Sequence, residues 1–277
     1  MCSSGLPDKI SVTERANASL IPVPAAPSLG HTLRALLEAD LAVQIRNRRA
    51  VLLSTALPVI LLFATSLGKR ADLFGDPPTR VSSSLTLGMT SIAILGYSMT
   101  IARDREKGVF ERLLVTPTPR WAIMLSRLTV QVMSILVMAV VTLVLAILLQ
   151  GLSLSPAALL LTLVAVAFGS AVFLSVGQAL VGLVKSADTV SAVGRLLYIP
   201  LYALALVGHV AALGAALGTT FETIAKWSPG GVVVAVLAAA MQPSTWSSDT
   251  WWAALACVMY SVVFTGIGIR WFQWRAR

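Results

Sequence analysis

Apolar positions in this chain fall in long uninterrupted blocks rather than in alternation. Six blocks, 50–68, 81–102, 128–149, 156–184, 189–217 and 251–269, reach the length at which a helix spans about 30 Å of hydrocarbon. A closed barrel would need alternating segments of roughly ten residues instead, so the pattern predicts helical spans. Ahead of the first block, Leu33, Leu37, Leu41 and Ile45 recur every fourth residue, and Arg34 precedes Glu38 by one turn. This predicts an interfacial helix over 30–49, with Asp40 and Gln44 bordering its apolar stripe and narrowing it. Between the fifth and sixth blocks, 232–241 holds only ten apolar residues, and Pro229-Gly230-Gly231 separates it from the preceding turn. The insert 218–248 is therefore expected to form short helices on the outer face that dip into the membrane.

Composition agrees with a chain that lives in lipid. Hydrophobic residues make up 57% of 277 positions and charged residues 12%, with a mean hydropathy of +0.84. The expected fold class is an all-α integral membrane protein with a six-helix membrane domain over 50–272. The net charge of +9 lies in short loops and tails without an aromatic and basic patch, so no nucleic-acid partner is expected. Seventeen of the 21 Lys and Arg fall on one side of the six spans. The positive-inside rule then places both termini and the loop after the second span at the cytoplasmic face of a multi-pass inner-membrane protein. Segments 1–29, with Pro22, Pro24 and Pro27, and 273–277 read as cytoplasmic tails, the first lacking the apolar core of a secretion signal. Cys2 and Cys257 imply neither a disulfide nor a metal site. Trp251, Trp252, Trp271 and Trp274 flank the last span as aromatic belts.

The loop 103–119 is the exception to all this apolarity: seven of the ten residues from Arg103 to Arg112 are charged. Each such charge costs about 2.5–3.5 kcal/mol at the bilayer centre, so the loop belongs in water or against a partner. Read as a helix, Val109, Phe110, Leu113 and Leu114 form a narrow apolar face on an ionic rod that something must cover. Thr116-Pro117-Thr118-Pro119 ends the rod, with Thr118 and Pro119 suited to the N-cap and first position of the next helix. A helix resting on headgroups would share these features, but Asp104, Glu106 and Glu111 favour a protein partner over anionic lipid.

The run from Arg105 to Pro117, REKGVFERLLVTP, resembles the first cytoplasmic loop of type-2 ATP-binding-cassette permeases, the family of daunorubicin-resistance-type drug exporters and polysaccharide exporters. The shared pattern is an acidic, basic and glycine cluster followed by Glu, Leu-Leu and Thr-Pro. From about residue 30 onward the element order is similar as well; where such permeases often carry Asn-Pro in the external insert, this chain has Ser228-Pro229. The resemblance implies that the loop docks on a separate nucleotide-binding ATPase. Arg105, Glu106, Gly108, Phe110, Glu111, Arg112, Leu114, Thr116 and Pro117 would form the coupling site. It further implies two ATPase copies carrying ATP and Mg, a second permease (the same chain or a similar one), and an exported drug, lipid or glycolipid.

The energy source fits this expectation. No Asp or Glu lies in a span, and apart from Arg195 and His209 the spans hold no ionisable group, which leaves almost nothing for a proton relay; Gly177 to Ser186 misplaces the lysine of a phosphate loop. The chain is thus expected to carry no cofactor and to catalyse nothing itself. Ser83, Thr86, Thr90, Tyr97 and Thr100 recur along one face of the second span and could line a path, or serve as glue between helices. Tyr198 and Tyr202 flank Pro200, expected to kink the fifth span, and His209 stands within its outer half. These residues, with membrane lipids as further partners, complete the candidate pathway. A non-pumping channel or an anchor for a cytoplasmic regulator is the alternative function. A membrane enzyme is the weakest reading, because the chain has no HExxH motif, nucleophile elbow or paired intramembrane carboxylates.

Overall fold

The structure, a computed structural model, describes residues 29–46, 48–67, 74–115, 118–210 and 217–272. Among them there is no strand. The helices are α1 Leu29–Arg46, α2 Arg48–Leu67, α3 Pro77–Glu106, α4 Val109–Leu114, α5 Arg120–Gln150, α6 Pro156–Leu183, α7 Ala187–Val207, α8 Thr219–Lys226, α9 Pro229–Met241 and α10 Ser248–Trp271. Helices α3, α5, α6, α7 and α10 are long and apolar enough to cross a membrane. The expected first span is α2, in which Thr55–Ser66 is an apolar helical stretch shorter than a full span among the described residues.

Helix α3 is the axis of the bundle. Its hydroxyl-rich sequence would be poor at excluding water from a soluble core, but in lipid each hydroxyl can return its hydrogen to the helix's own backbone. Ser82 donates to the Pro78 carbonyl at 2.7 Å and Thr90 to the Thr86 carbonyl at 2.7 Å. With small side chains on every face, neighbours approach closely, and Val81, Leu85, Met89 and Ile101 are buried.

The expected uniform second span is not uniform. Ser91–Tyr97 is a π-helical segment, in which the Ser98 N–H bonds the Ala93 carbonyl five residues back. The extra residue turns everything beyond it by roughly 100° relative to an unbroken α-helix. Its cause is tertiary: a Cβ on Gly177 of α6 would sit 2.7 Å from Ala93 O, and Ser98 Oγ reaches the Gly177 carbonyl at 3.3 Å. The freed backbone is thus matched to a bare glycine on the neighbouring span.

Other boundaries also shift. Helix α5 begins eight residues before the expected span, carrying Arg120 and Arg127 inside the helix, and ends at Gly151 with φ +62°. Helix α7 ends at Val207, ten residues short of the expected limit, and contains Pro200 without interruption. The insert forms the expected short helices, but α9 is no surface element. Helices α8 and α9 meet at 73°, and Val232, Val233, Val234 and Leu237 are buried against the spans. The serine of Ser228-Pro229 makes the bend, its Oγ accepting from Gly231 N at 3.1 Å and donating to Ala225 O at 2.7 Å.

Helix α1 docks on α5 by its polar side. Ser126 Oγ donates to Asp40 Oδ2 at 2.6 Å, and Gln44 Nε2 to Ser134 Oγ at 3.1 Å. The two residues that narrow its apolar stripe are therefore its anchors. Ile45, expected in that stripe, is 64% exposed, while the Arg34–Glu38 pair forms as expected at 2.8 Å.

Candidate functional site

The charged loop joins α3 to α5. Helix α3 stops at Glu106 because Gly108 adopts φ +67°, ψ 20°, a left-handed conformation in which glycine is at no disadvantage. A second helix, α4, restarts at Val109 and lasts six residues. The expected single rod is therefore an elbow. Its apolar face is covered by the chain itself: Phe110 is 1% exposed, packed edge-on against Phe272 with ring centroids 5.8 Å apart. The Arg127 guanidinium lies 5.1 Å from the Phe110 ring centroid and pairs with Asp104. Leu113 and Leu114 are half-buried, and Val115, Glu111 and Arg112 are exposed. Thr116 and Pro117 lie outside the described residues. The next helix begins one residue later than expected, at Arg120, with Pro119 extended and its carbonyl accepting from Ala122 N at 2.9 Å.

Arg105 does not face outward with Glu111 and Arg112, and Glu106, though exposed, is bonded toward the bundle. Arg105 is 4% exposed and donates to three carbonyls where α6 ends, to Val181 at 2.9 Å, Val184 at 2.7 Å and Lys185 at 2.6 Å. Those are the carbonyls a helix C-terminus leaves without intrahelical partners, and a cation is the donor they favour. Glu106 Oε1 accepts from Ala187 N at 2.6 Å, at the start of α7, where an unpaired N–H favours an anion. Two consecutive residues of opposite charge thus bracket the turn between α6 and α7. The bracket gives Arg105 and Glu106 an internal role that the charge pattern of the loop conceals.

The candidate pathway residues are less concentrated. Ser83, Thr86 and Thr90 are buried in α3, and Thr86 Oγ1 has no hydrogen-bond partner among the described residues. Tyr97 is 1% exposed and its hydroxyl donates to Gln178 Oε1, whereas Thr100 is exposed. The π segment explains why the two part from the common face expected of them. Both border a cavity of about 260 Å³, largely apolar in lining, that Asp40, Asp104, Arg127 and Gln131 also reach. Tyr198 and Tyr202 are half-buried on α7, the Tyr202 hydroxyl without a partner among the described residues. His209 lies past the end of α7, not within a span, with Nδ1 3.3 Å from Ala205 O. Burial holds its pKa below the ordinary histidine value, and nearby Lys226 adds to the effect. No hydrogen bond joins these groups into one site among the described residues.

Sequence reasoning missed Arg127 and Phe272 as partners of the loop, and Gln178 as the partner of Tyr97. Arg127 carried a signal, a charge seven residues inside a helix that lipid would reject; Phe272 carried none. Taken together, the described loop is an elbow with an internally bonded base, buried at Arg105 and Phe110, and an exposed tip at Glu111, Arg112 and Val115. No curated protein sequence matches the chain. The sequence model of the ABC-2 type transporter family matches residues 31–230, which take in α1, the elbow and every span up to the α8–α9 bend. A multi-pass helical bundle with that match over more than half its length belongs to the ABC-2 type transporter family, as a membrane permease subunit of an ABC transporter.

Proposed function

We propose that the chain is the membrane half of an ATP-driven exporter of a lipophilic or amphiphilic compound, a drug, lipid or glycolipid. A separate nucleotide-binding ATPase, holding Mg and ATP, docks on the exposed tip of the elbow through Glu111, Arg112 and Leu114, with Thr116 and Pro117 completing the contact. Two ATPases serve two permeases, and the elbow and both termini face the cytoplasm of the inner membrane. The observation that carries this reading is the bracket. A tip that moves must drag the base of the elbow, and the base is bonded to the ends of α6 and α7, so displacement of one loop becomes displacement of two spans.

The test is co-purification with the cognate ATPase and ATP-linked transport in proteoliposomes. Glu111→Arg and Leu114→Glu should each lower complex recovery and transport together by an order of magnitude or more, since a charge reversal or a buried charge at a packed contact costs about 2–5 kcal/mol. Unchanged recovery and transport in both variants would remove the docking role. Ion currents carried by the permease without an ATPase would favour the channel instead.

A further inference from the structure

A cleft of about 440 Å³ opens between α5, α6 and α10 at the same end of the bundle as the elbow. That volume falls within the roughly 300–1,000 Å³ of ordinary ligand pockets. Its order of polarity is unlike that of the groove between α5 and α6, which is lined by Val137, Val140, Leu163 and other apolar side chains alone. Met124, Leu125, Leu128 and Ile269 line the cleft with apolar surface, and Arg120 and the 55% exposed Trp121 stand at its α5 end, where that helix meets the charged loop. Arg270, stacked 5.3 Å from the Trp271 ring centroid, puts a second cation at this end. On the inner side lies Gln178, 7% exposed; its Oε1 is taken by the Tyr97 hydroxyl, and its amide nitrogen has no partner among the described residues.

We propose that this cleft binds one anionic phospholipid of the adjoining leaflet, its headgroup at Arg120 and an acyl chain along Leu125, Leu128 and Ile269. Charge complementarity selects the occupant. A chain-shaped apolar slot alone would take any lipid, but a cation and a tryptophan at the membrane boundary favour an anionic head at that mouth. The site also touches the elbow. Phe272, which lines the cleft, packs on Phe110 of the elbow, and Gln178 holds Tyr97 of the π segment. A lipid seated there braces the two contacts that fix the base of the loop. Binding does not depend on the ATPase reading, so the proposal can fail while that reading stands.

The test uses the whole chain in phosphatidylcholine nanodiscs with a small fraction of phosphatidylglycerol carrying a photoreactive group midway along one acyl chain. Cross-links are mapped by mass spectrometry against a phosphatidylcholine probe with the same chain. Peptides holding Met124–Leu128 and Thr265–Ile269 should take up the anionic probe about five-fold more than the neutral one, the preference expected of one cation near a membrane surface. Arg120→Gln should erase that preference, Arg120→Lys should keep it, and labelling of the Val137–Leu163 groove should be unchanged in both. Hydrogen exchange over 109–114 should slow when phosphatidylglycerol is added to the wild type and not to Arg120→Gln. Equal uptake of the two probes in the cleft, or an anionic preference equally strong on the apolar groove, overturns the proposal.

Discussion

The two ends of the bundle are held together by different physics. At the charged end, separate spans are tied by ionised side chains bonded to main chain: Arg105 to the last carbonyls of α6 and Glu106 to the first N–H of α7. At the opposite end, the α8–α9 hairpin is held by bare backbone pressed on backbone. A Cβ on Gly231 would lie 2.3 Å from Ala225 O, and one on Gly208 would lie 2.7 Å from Lys226 N. Directional bonds between spans pass a displacement from one to the next, because stretching one costs energy at once. Close apolar packing fills space and resists change of shape, but it names no particular partner to follow. The charged end is therefore built to transmit and the opposite end to seal.

The largest break in that contrast is Arg105→Ala. It strips charge-assisted bonds from three buried carbonyls, and the loss should reach about 3–5 kcal/mol. The expected result is a loss of cooperative melting in detergent, with faster hydrogen exchange over 181–187. Arg105→Lys, which can satisfy only part of the set, should recover a fraction of both. A melting curve unchanged in the alanine variant would mean that the bracket is ornamental. Next in size is Gly231→Ala at the other end, where the nearest atoms belong to the Ala225 and Lys226 backbone and cannot step aside. Overpacking of this kind costs about 1–3 kcal/mol. The damage should stay local, seen as exchange over 225–235, while the charged end keeps its protection.

How far the sequence foretells this molecule follows from what lipid does to a hydrophobic pattern. Span length and the charged loop are legible, since both are set by the cost of charge in hydrocarbon. Burial is not. The run Val232 to Met241 is apolar on every side, and in a bilayer that composition suits a lipid-facing rod and a buried one equally; only its ten-residue length sets it apart from an unbroken span. The π segment is equally silent, because i−5 bonding over 91–97 is chosen by the glycine opposite, 84 residues away from Ala93. At the candidate site, the charge pattern of Arg103 to Arg112 reads as lying in water or against a partner. Helix ends supply what the pattern omits: Arg105 is buried because α6 terminates against it, a fact encoded at Val184 and Lys185 rather than in the loop. Glu111 and Arg112, on the short α4 with no end of a span bonded to them in the same way, stay exposed.

The contrast sharpens most finely where the two ends use the same chemistry. Each has a carboxylate paired with a cation: Arg127 with Asp104 at the charged end, side chains 13% and 24% exposed, and Lys226 with Asp249 at the other, 45% and 65% exposed at 3.3 Å. A shielded pair that also stacks on Phe110 keeps its attraction, whereas an exposed lysine pair gives most of its own back to water and to side-chain entropy. Double-mutant cycles with Arg127→Gln and Asp104→Asn should return a coupling of about 1–2 kcal/mol, and the Lys226→Gln and Asp249→Asn cycle at most about 0.5 kcal/mol. Raising ionic strength from 0.05 to about 0.5 M, which shortens the screening length several-fold, should abolish the second coupling and leave most of the first. Two couplings of equal size, screened alike, would show that the ends do not differ in how they hold charge, and that a loop bonded through Arg105 has no more rigid a seat than the hairpin opposite.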